Sequence, residues 1–444
     1  MNKYQAPRGT KDVLPTDIKK WYKIEELIKQ FTYVYNYQEI RTPLFEHTEV
    51  FKRGNDSSDM VNKEMYTFVP ENSTTSITLR PECTAGVARS FVENKMYGYA
   101  EMPVKLYYVG PQFRHESPQK GRLRMFNQFG IECLGSKNPL LDVETIALGY
   151  NFINALGLKD LKVLINTLGS DEDRNKYRYI LKEYFKNDIS NMCDDCKRRY
   201  EQNPLRILDC KIDSHKDIMK NIPKMSNCLS DDSKEYFDMV LKGLDQLNIP
   251  YEIDERLVRG LDYYSHTVFE VVSINEDMGS QSTVFAGGRY DNLVEYFNGP
   301  STSGIGWAMG IERLLLACEV EGIDLNEEDE IDAYILCLSD SAQLYVTSIL
   351  DTLRLNGYRC ERDYMSRKFK GQFKSVERLN AKVAIIVGEQ DLENNTVSIK
   401  RIEDQQQFVV KYDELVDKMD ELFETHEEHS HECNCGDDCK CHDK

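Results

Sequence analysis

Four short segments of the 444-residue sequence crowd arginines, carboxylates and tyrosines beside glycines in a way that suits phosphate and polar-substrate chemistry. In FRHESPQKGRLRMFNQ, Arg114 and Glu116 are expected to alternate out of one strand, and Arg122, Arg124 and Gln128 out of the next, across the polar loop SPQKG. Guanidinium forks grip phosphate oxygens bidentately and stay charged, and a nearby carboxylate can orient the arginine or accept from an adenine amino group. A surface ladder of salt bridges would use the same residues. In GIGWAMGIERLLLA, Arg313 opens a helix after Gly304, Gly306 and Gly310, which either admit a ligand or serve ordinary packing. RGLDYYSHTVFE groups Arg259, Asp262, Tyr263 and Tyr264, and AGGRYD adds Arg289 and Tyr290, a density beyond what packing asks for.

Further along, Arg367, Lys370, Lys374 and Arg378 fall at spacings of three, four and four, a cationic stripe on a helix whose other face carries Phe369, Phe373 and Val376. Residues 362–382 hold 7 basic against 2 acidic side chains, so the stripe is either a phosphate-binding face or a solvated one. Cys193 and Cys196 form a CxxC followed by Cys210 and Cys228 at separations unlike a paired zinc ribbon, which leaves structural zinc and free thiols both open. In the last residues Cys433, Cys435, Cys439 and Cys441 lie among histidines, a soft-ligand density that would take Zn2+ or a similar ion.

The elements that must position these residues follow from periodicity. Residues 16–36 are expected to be a helix, with Thr16 and Asp17 as cap candidates and Trp21, Ile24, Ile28, Phe31 and Tyr35 on one face. Strand patterns run from about 75 to 135, a helix covers 139–158, and a polar helical insertion occupies about 170–245. Strands return at YEIDERLVRGLDYY, TVFEVVSI and STVFAGGRYD before the glycine-rich strand-to-helix run. The charged DLNEEDEI serves as a linker to alternating strands and helices, a small α/β domain at 331–424. The expected class is α+β: a large antiparallel domain over 1–325 with its insertion, the α/β domain, and a His/Cys-rich tail from 425 to 444 without apolar residues to order it.

Hydrophobic residues at 41% and charged residues at 30% describe a folded protein. No apolar run resembles a leader or a membrane span, and 13 cysteines in this length read as free thiols in a reducing compartment, so a cytoplasmic protein without a membrane partner is expected. A net charge of −19 would argue against nucleic acid, but residues 411–444 alone carry 12 acidic and 4 basic side chains, so the sign says little about the body.

FRHE with its downstream arginine resembles motif 2 of the class II aminoacyl-tRNA synthetases, GIGWAMGIERLLLA resembles motif 3, and RTPLFEHTEVF around Pro43 resembles motif 1. RGLDYY and AGGRYD are similar to segments particular to the histidyl branch, bacterial type, and the likeness runs from about residue 3 to 424. It implies a class II catalytic domain, an anticodon-binding domain, a homodimer built through motif 1, and histidine, ATP with Mg2+, and a histidine tRNA as partners. It also implies roles. Arg114 would hold the α-phosphate, Arg313 the γ-phosphate, Glu116 the adenine, and Arg122 the bent nucleotide. Arg259, with Arg114, would be catalytic, meeting the charge that develops at the α-phosphorus. Glu82, Thr84 and Gln128 would take the substrate ammonium. Glu132 and Tyr264 would take the imidazole, with Arg259, Tyr263 and Tyr290 lining the pocket. Gln119 and Lys120 would meet the tRNA acceptor end and the stripe Arg367, Lys370, Lys374, Arg378 its anticodon arm. Two positions depart from the pattern: Ser117 stands where arginine is common, and Cys83 where glycine is. The alternative is a non-catalytic, histidine-sensing regulatory relative, which would be expected to lack the C-terminal domain and the arginine segment around Arg259.

Overall fold

The structure, a computed structural model, describes residues 4–52, 58, 60–326 and 330–427. The chain divides into two compact units, Met1–Asn326 and Glu327–Lys444, and the division falls inside the charged DLNEEDEI stretch. The tail cysteines Cys433, Cys435, Cys439 and Cys441 lie outside the described residues.

An eight-stranded sheet organises the first unit, in the spatial order Gln38–Glu39, Val104–Phe113, Met125–Leu134, Gly304–Gly310, Thr283–Tyr290, Ser265–Ser273, Leu161–Thr167, Tyr251–Ile253. The inner pairs are antiparallel, and only the two short edge strands join in parallel. One sheet face is covered by the helices Ile18–Val34 and Pro139–Ala155, whose Trp21, Ile24, Ile28 and Phe152 pack on Phe129, Phe285 and Trp307. The helix at 18 starts without the expected cap bond from Asp17, whose backbone is already helical, and a preceding turn leads into it, with Asp17 N and Ile18 N donating to the Leu14 carbonyl at 2.8 and 3.0 Å. Asn138 does cap the second helix, accepting from Leu140 N at 2.9 Å.

The opposite face carries the insertion, which has its own core of Tyr177, Leu181, Phe185, Cys196 and Ile207. Its last helix, Asp231–Gln246, instead sends Phe237, Val240 and Leu244 into the main core, so the insertion as a separate lobe ends earlier than its polarity suggests. The expected strand YEIDERLVRGLDYY stops at Ile253; beyond it, insertion side chains pin the backbone where ladder bonds would have been.

The second unit is a five-stranded sheet ordered Cys360–Arg362, Ile331–Cys337, Ala381–Val387, Thr396–Arg401, Gln407–Lys411. The first three strands are parallel and the last two antiparallel, and the helices Gln343–Leu355 and Leu415–Glu427 share its core through Val346, Ile349, Leu353 and Met419. Among the described residues, no helix is long and apolar enough to cross a membrane.

Candidate active site

Strand alternation builds the floor. Gln128 and Glu132 lie on one face of Met125–Leu134 and are paired across the sheet with Gly310 and Gly306, and Gly304 pairs with Tyr290 on the following strand. These glycines make room for their neighbours. A Cβ on Gly306 would stand 2.1 Å from Glu132 Oε2, and one on Gly304 2.2 Å from the Tyr290 ring. Into that space Tyr290 Oη donates to Glu132 Oε2 at 2.6 Å, and Thr84 Oγ1 donates to Oε1 at 2.5 Å. Burial pushes the Glu132 carboxyl up to about 8 despite the hydroxyls donating to it. Gly306→Ala should therefore displace Glu132 and lower kcat/KM for the ligand it faces by about 10-fold or more, while circular dichroism stays native. An unchanged kcat/KM would show the carboxylate to be idle.

Three half-buried arginines line the same space. Arg114 Nε donates to the Pro81 carbonyl at 2.8 Å, and its guanidinium lies 5.3 Å from the centre of the Phe126 ring. Arg313 Nη1 donates to the Thr283 carbonyl at 2.9 Å. Arg259 pairs with Glu270 and lies 6.0 Å from the Tyr264 ring centre. Burial, with Arg122 and Arg114 adding repulsion, pushes Arg313 down to about 10, and burial also lowers Arg114. Burial is the largest influence on Arg259 and opposes its charge, but Glu270, Tyr264 and Tyr263 together raise the group above its ordinary value. Crowded, desolvated cations of this kind are stabilised by a multiply charged anion.

Every active-site residue singled out from the sequence lines one cavity of about 350 Å³: Glu82, Thr84, Gln128, Glu132, Tyr263, Tyr264 and Tyr290 beside Arg114, Glu116, Arg122, Arg259 and Arg313. Several placements differ from expectation. The strands end at Phe113 and begin again at Met125, so Arg114, Glu116, Arg122 and Arg124 sit in the connecting loop. That loop keeps some pairing, with Arg114 N donating to Arg124 O and a bridge between Gln119 and Arg122, so the residues still converge; Glu116 and Arg122 form an ion pair. Arg124 turns away to the Glu116 carbonyl. Asp262 accepts from Asn203 of the insertion at 2.9 Å. Arg289 is a core residue, 1% exposed and paired with Asp142, because its neighbour Tyr290 takes the pocket side of the strand. Cys83 Sγ lies 3.4 Å from Thr42 Oγ1, and burial pushes its thiol up to about 12.

Sequence reasoning missed Glu270, Tyr108 and Phe126, which also line the cavity. Glu270 had a signal, since it is the one charge in the otherwise apolar alternation of TVFEVV. Gln119 and Lys120 line an adjoining cavity of about 850 Å³ with Lys11, Leu123 and Glu312. In the second unit the helix starts at Phe369, so Arg367 precedes it and is tied to Asp363, while Lys370, Lys374 and Arg378 are exposed on Phe369–Arg378. Phe369 is 47% exposed and not part of an apolar face; Val376 is buried.

The family model described as Histidyl-tRNA synthetase matches residues 9–314, and the one described as Anticodon binding domain matches residues 332–422. The chain is 49% identical over 398 residues to the Histidine--tRNA ligase of Staphylococcus haemolyticus, covering 89% of this chain and 94% of the relative. It is 47% identical over 415 residues to that of Staphylococcus aureus (strain JH9), covering 93% and 99%. The solved structure of apo S. aureus histidyl-tRNA synthetase is similar with a TM-score of 0.80 at 41% identity, covering 94% of this chain and 99% of that one.

Proposed function

The chain belongs to the histidyl-tRNA synthetase family, and we propose that the arginine- and tyrosine-lined cavity holds histidine and ATP for adenylate formation and then presents the adenylate to tRNA. It is an aminoacyl-tRNA-forming ligase, and ATP is its energy source. The near-complete coverage of ligase relatives favours the enzyme over the regulatory alternative, as do Arg259 and the C-terminal domain.

The observation that carries the proposal is the mixture of groups brought into one cavity: the carboxyls Glu82 and Glu132, the arginines Arg114, Arg259 and Arg313, and the tyrosines Tyr263, Tyr264 and Tyr290. Histidine brings an ammonium, an imidazole and a carboxylate, and ATP brings four negative charges. Gln128 Oε1, buried and without a partner among the described residues, is a ready acceptor for the ammonium beside Glu82 and Thr84. Glu132 and Tyr264 take the imidazole, with Tyr263 and Tyr290 closing the pocket. Arg114 and Arg313 take the α- and γ-phosphates, and Glu116 and Arg122 hold the nucleotide. Mg2+ accompanies the outer phosphates and neutralises part of their charge. Glu270, which already accepts from Thr283 Oγ1 at 3.1 Å, is the oxygen donor in the cavity whose chemistry fits that ion. Histidine-dependent ATP–pyrophosphate exchange by the folded, tRNA-free protein tests the assignment; no exchange would return the chain to the regulator.

For tRNA we assign the acceptor end to Gln119 and Lys120 and the anticodon arm to Lys370, Lys374 and Arg378, with Arg367 contributing less because Asp363 holds it. Reversing Lys370, Lys374 and Arg378 to Glu should weaken tRNA charging by ~10-fold or more at moderate salt and leave exchange intact, since phosphate contacts set affinity and lie outside the pocket. Parallel loss of both activities would make the stripe structural.

A homodimer is assigned through motif 1, where Leu44 and Phe45 are 45% and 55% exposed beside Pro43; a monomer in sedimentation at micromolar concentration would refute it. A cytoplasmic location fits the described cysteines, which are free. Zn2+ is assigned to the tail through Cys433, Cys435, Cys439 and Cys441. Deleting residues 426–444 should lower bound thiophilic metal and leave aminoacylation within about 2-fold, as checked by metal analysis beside charging assays, because nothing in the tail sequence resembles the active-site segments.

A further inference from the structure

We propose that Cys193, Cys196, Cys210 and Asp213 form a structural zinc site that fixes the insertion segment bracing Arg259. Their four ligand atoms, three sulfurs and a carboxylate oxygen, lie within 4.8 Å of one another. Cys228, which the sequence alone groups with them, stands apart and donates to the Lys224 carbonyl, so an aspartate takes the fourth position. Zinc accepts this mixture of thiolate and carboxylate in a tetrahedron, and a Zn–S bond of ~2.3 Å sets a sulfur–sulfur edge of ~3.8 Å. Cys193 Sγ and Cys210 Sγ are 3.7 Å apart.

The surroundings suit the ligand set. Cys193 caps the helix Asp194–Gln202 and Cys196 lies in its first turn, so both thiolates meet the positive end of the helix. Asp213 is 1% exposed, and its Oδ2 accepts from Cys193 N at 2.8 Å, while Asp213 N donates to Cys210 Sγ at 3.3 Å. Such bonds orient ligands from outside the first coordination shell. Lys216 Nζ lies 2.8 Å from Asp213 Oδ1 and offsets part of the negative charge that three thiolates and a carboxylate leave on a dication. A disulfide between Cys193 and Cys210 would account for neither Cys196 nor the buried carboxylate.

The site has a consequence for the active centre through chain order. Between Cys196 and Cys210 lie Asn203, which donates to Asp262 at 2.9 Å, and Arg206, which donates to the Arg259 carbonyl at 2.8 Å. A metal joining Cys196 to Cys210 would close that loop and hold both braces against RGLDYY.

The test uses the full chain with Cys433, Cys435, Cys439 and Cys441 changed to Ser, so that tail thiolates do not contribute. Metal analysis after desalting should find about one zinc per chain, lost in Cys196→Ser and in Cys210→Ser and kept in Cys228→Ser. Chelation should lower the thermal midpoint and added zinc restore it, a reading independent of activity. Asp213→Cys, which needs no folded vacancy, should bind Co2+ with stronger sulfur-to-cobalt absorption. Zinc absent from the background protein, zinc kept in both Cys196→Ser and Cys210→Ser, or an isolated Cys193–Cys210 disulfide under reducing purification would each overturn the proposal.

Discussion

Arg259→His should slow single-turnover histidyl-adenylate formation by ~10²- to 10³-fold, the scale of losing one preorganised electrostatic contact. Both reactants are anionic where they meet, the histidine carboxylate and the α-phosphate, and the charge that grows on the nonbridging oxygens must find a cation already in place. Arg259 is half-buried at that cavity, its charge is favoured by Glu270 with Tyr264 and Tyr263, and Arg206 donates to its backbone carbonyl. Histidine in its place is shorter and largely uncharged near neutral pH. Transfer from preformed adenylate should suffer less, because no charge then develops at phosphorus in the attack. The ion pair with Glu270 adds a second effect, since removing the arginine leaves a half-buried carboxylate without its cation. Thermal stability should fall modestly, and adding Glu270→Gln should recover stability without recovering activation. Activation recovered in the double variant would make Arg259 a structural arginine, and an unchanged rate in the single variant would remove it from the mechanism.

How far the site was legible depended on whether its residues are placed by local pattern or by long-range contact. Gln128 could be placed by strand alternation, which decides which face a side chain takes, whereas Glu132 and Tyr290 were reached only through the family resemblance. The same rule, applied one residue off, would have sent Arg289 into the pocket; only its buried partner Asp142, remote in sequence, shows that it belongs to the core. Asp262 and Arg259 lie in one short segment yet face different partners, because Asn203 of the insertion takes the Asp262 carboxylate and Arg206 the Arg259 carbonyl, contacts that no periodicity encodes. The motif 2 loop was overextended as strand because its alternation of charged and apolar residues persists after ladder pairing gives way to a bridge at Gln119 and Arg122. Glu270 was passed over because a single charge within a strand has no meaning until its neighbour across the sheet is known. The layering of the fold was clearer: Trp21, Ile24 and Ile28 at helical spacing, and the alternation of 331–387, each state a buried face without reference to distant chain.

Glu132→Gln should separate stability from recognition in opposite directions. The Glu132 carboxyl sits at about 8 instead of its ordinary 4.5 because it is fully enclosed, so the native state holds a proton that the unfolded chain has released. Native stability drawn from this group is therefore complete below about pH 4.5 and is lost progressively as pH rises toward 8, at a limiting slope of about 1.4 kcal/mol per pH unit. Glutamine has the same shape and no charge to desolvate. The variant should thus gain thermal stability over the parent at pH 9, with the gain shrinking at pH 6. Recognition should move the other way. The carboxyl takes the Thr84 and Tyr290 hydroxyls on its two oxygens and can give up its proton to pair with a bound imidazolium, whereas an amide would point N–H at one of those hydroxyls and can form no such ion pair. A mismatch between buried polar groups and a charged or polar ligand costs ~10²-fold or more, so kcat/KM for histidine should fall by at least that much, chiefly through KM, while KM for ATP stays near the parent value. If the histidine KM is unchanged, Glu132 is a structural carboxyl of the tyrosine cluster. If stability at pH 9 instead drops with recognition, the carboxylate is held in its charged form by the hydroxyls around it.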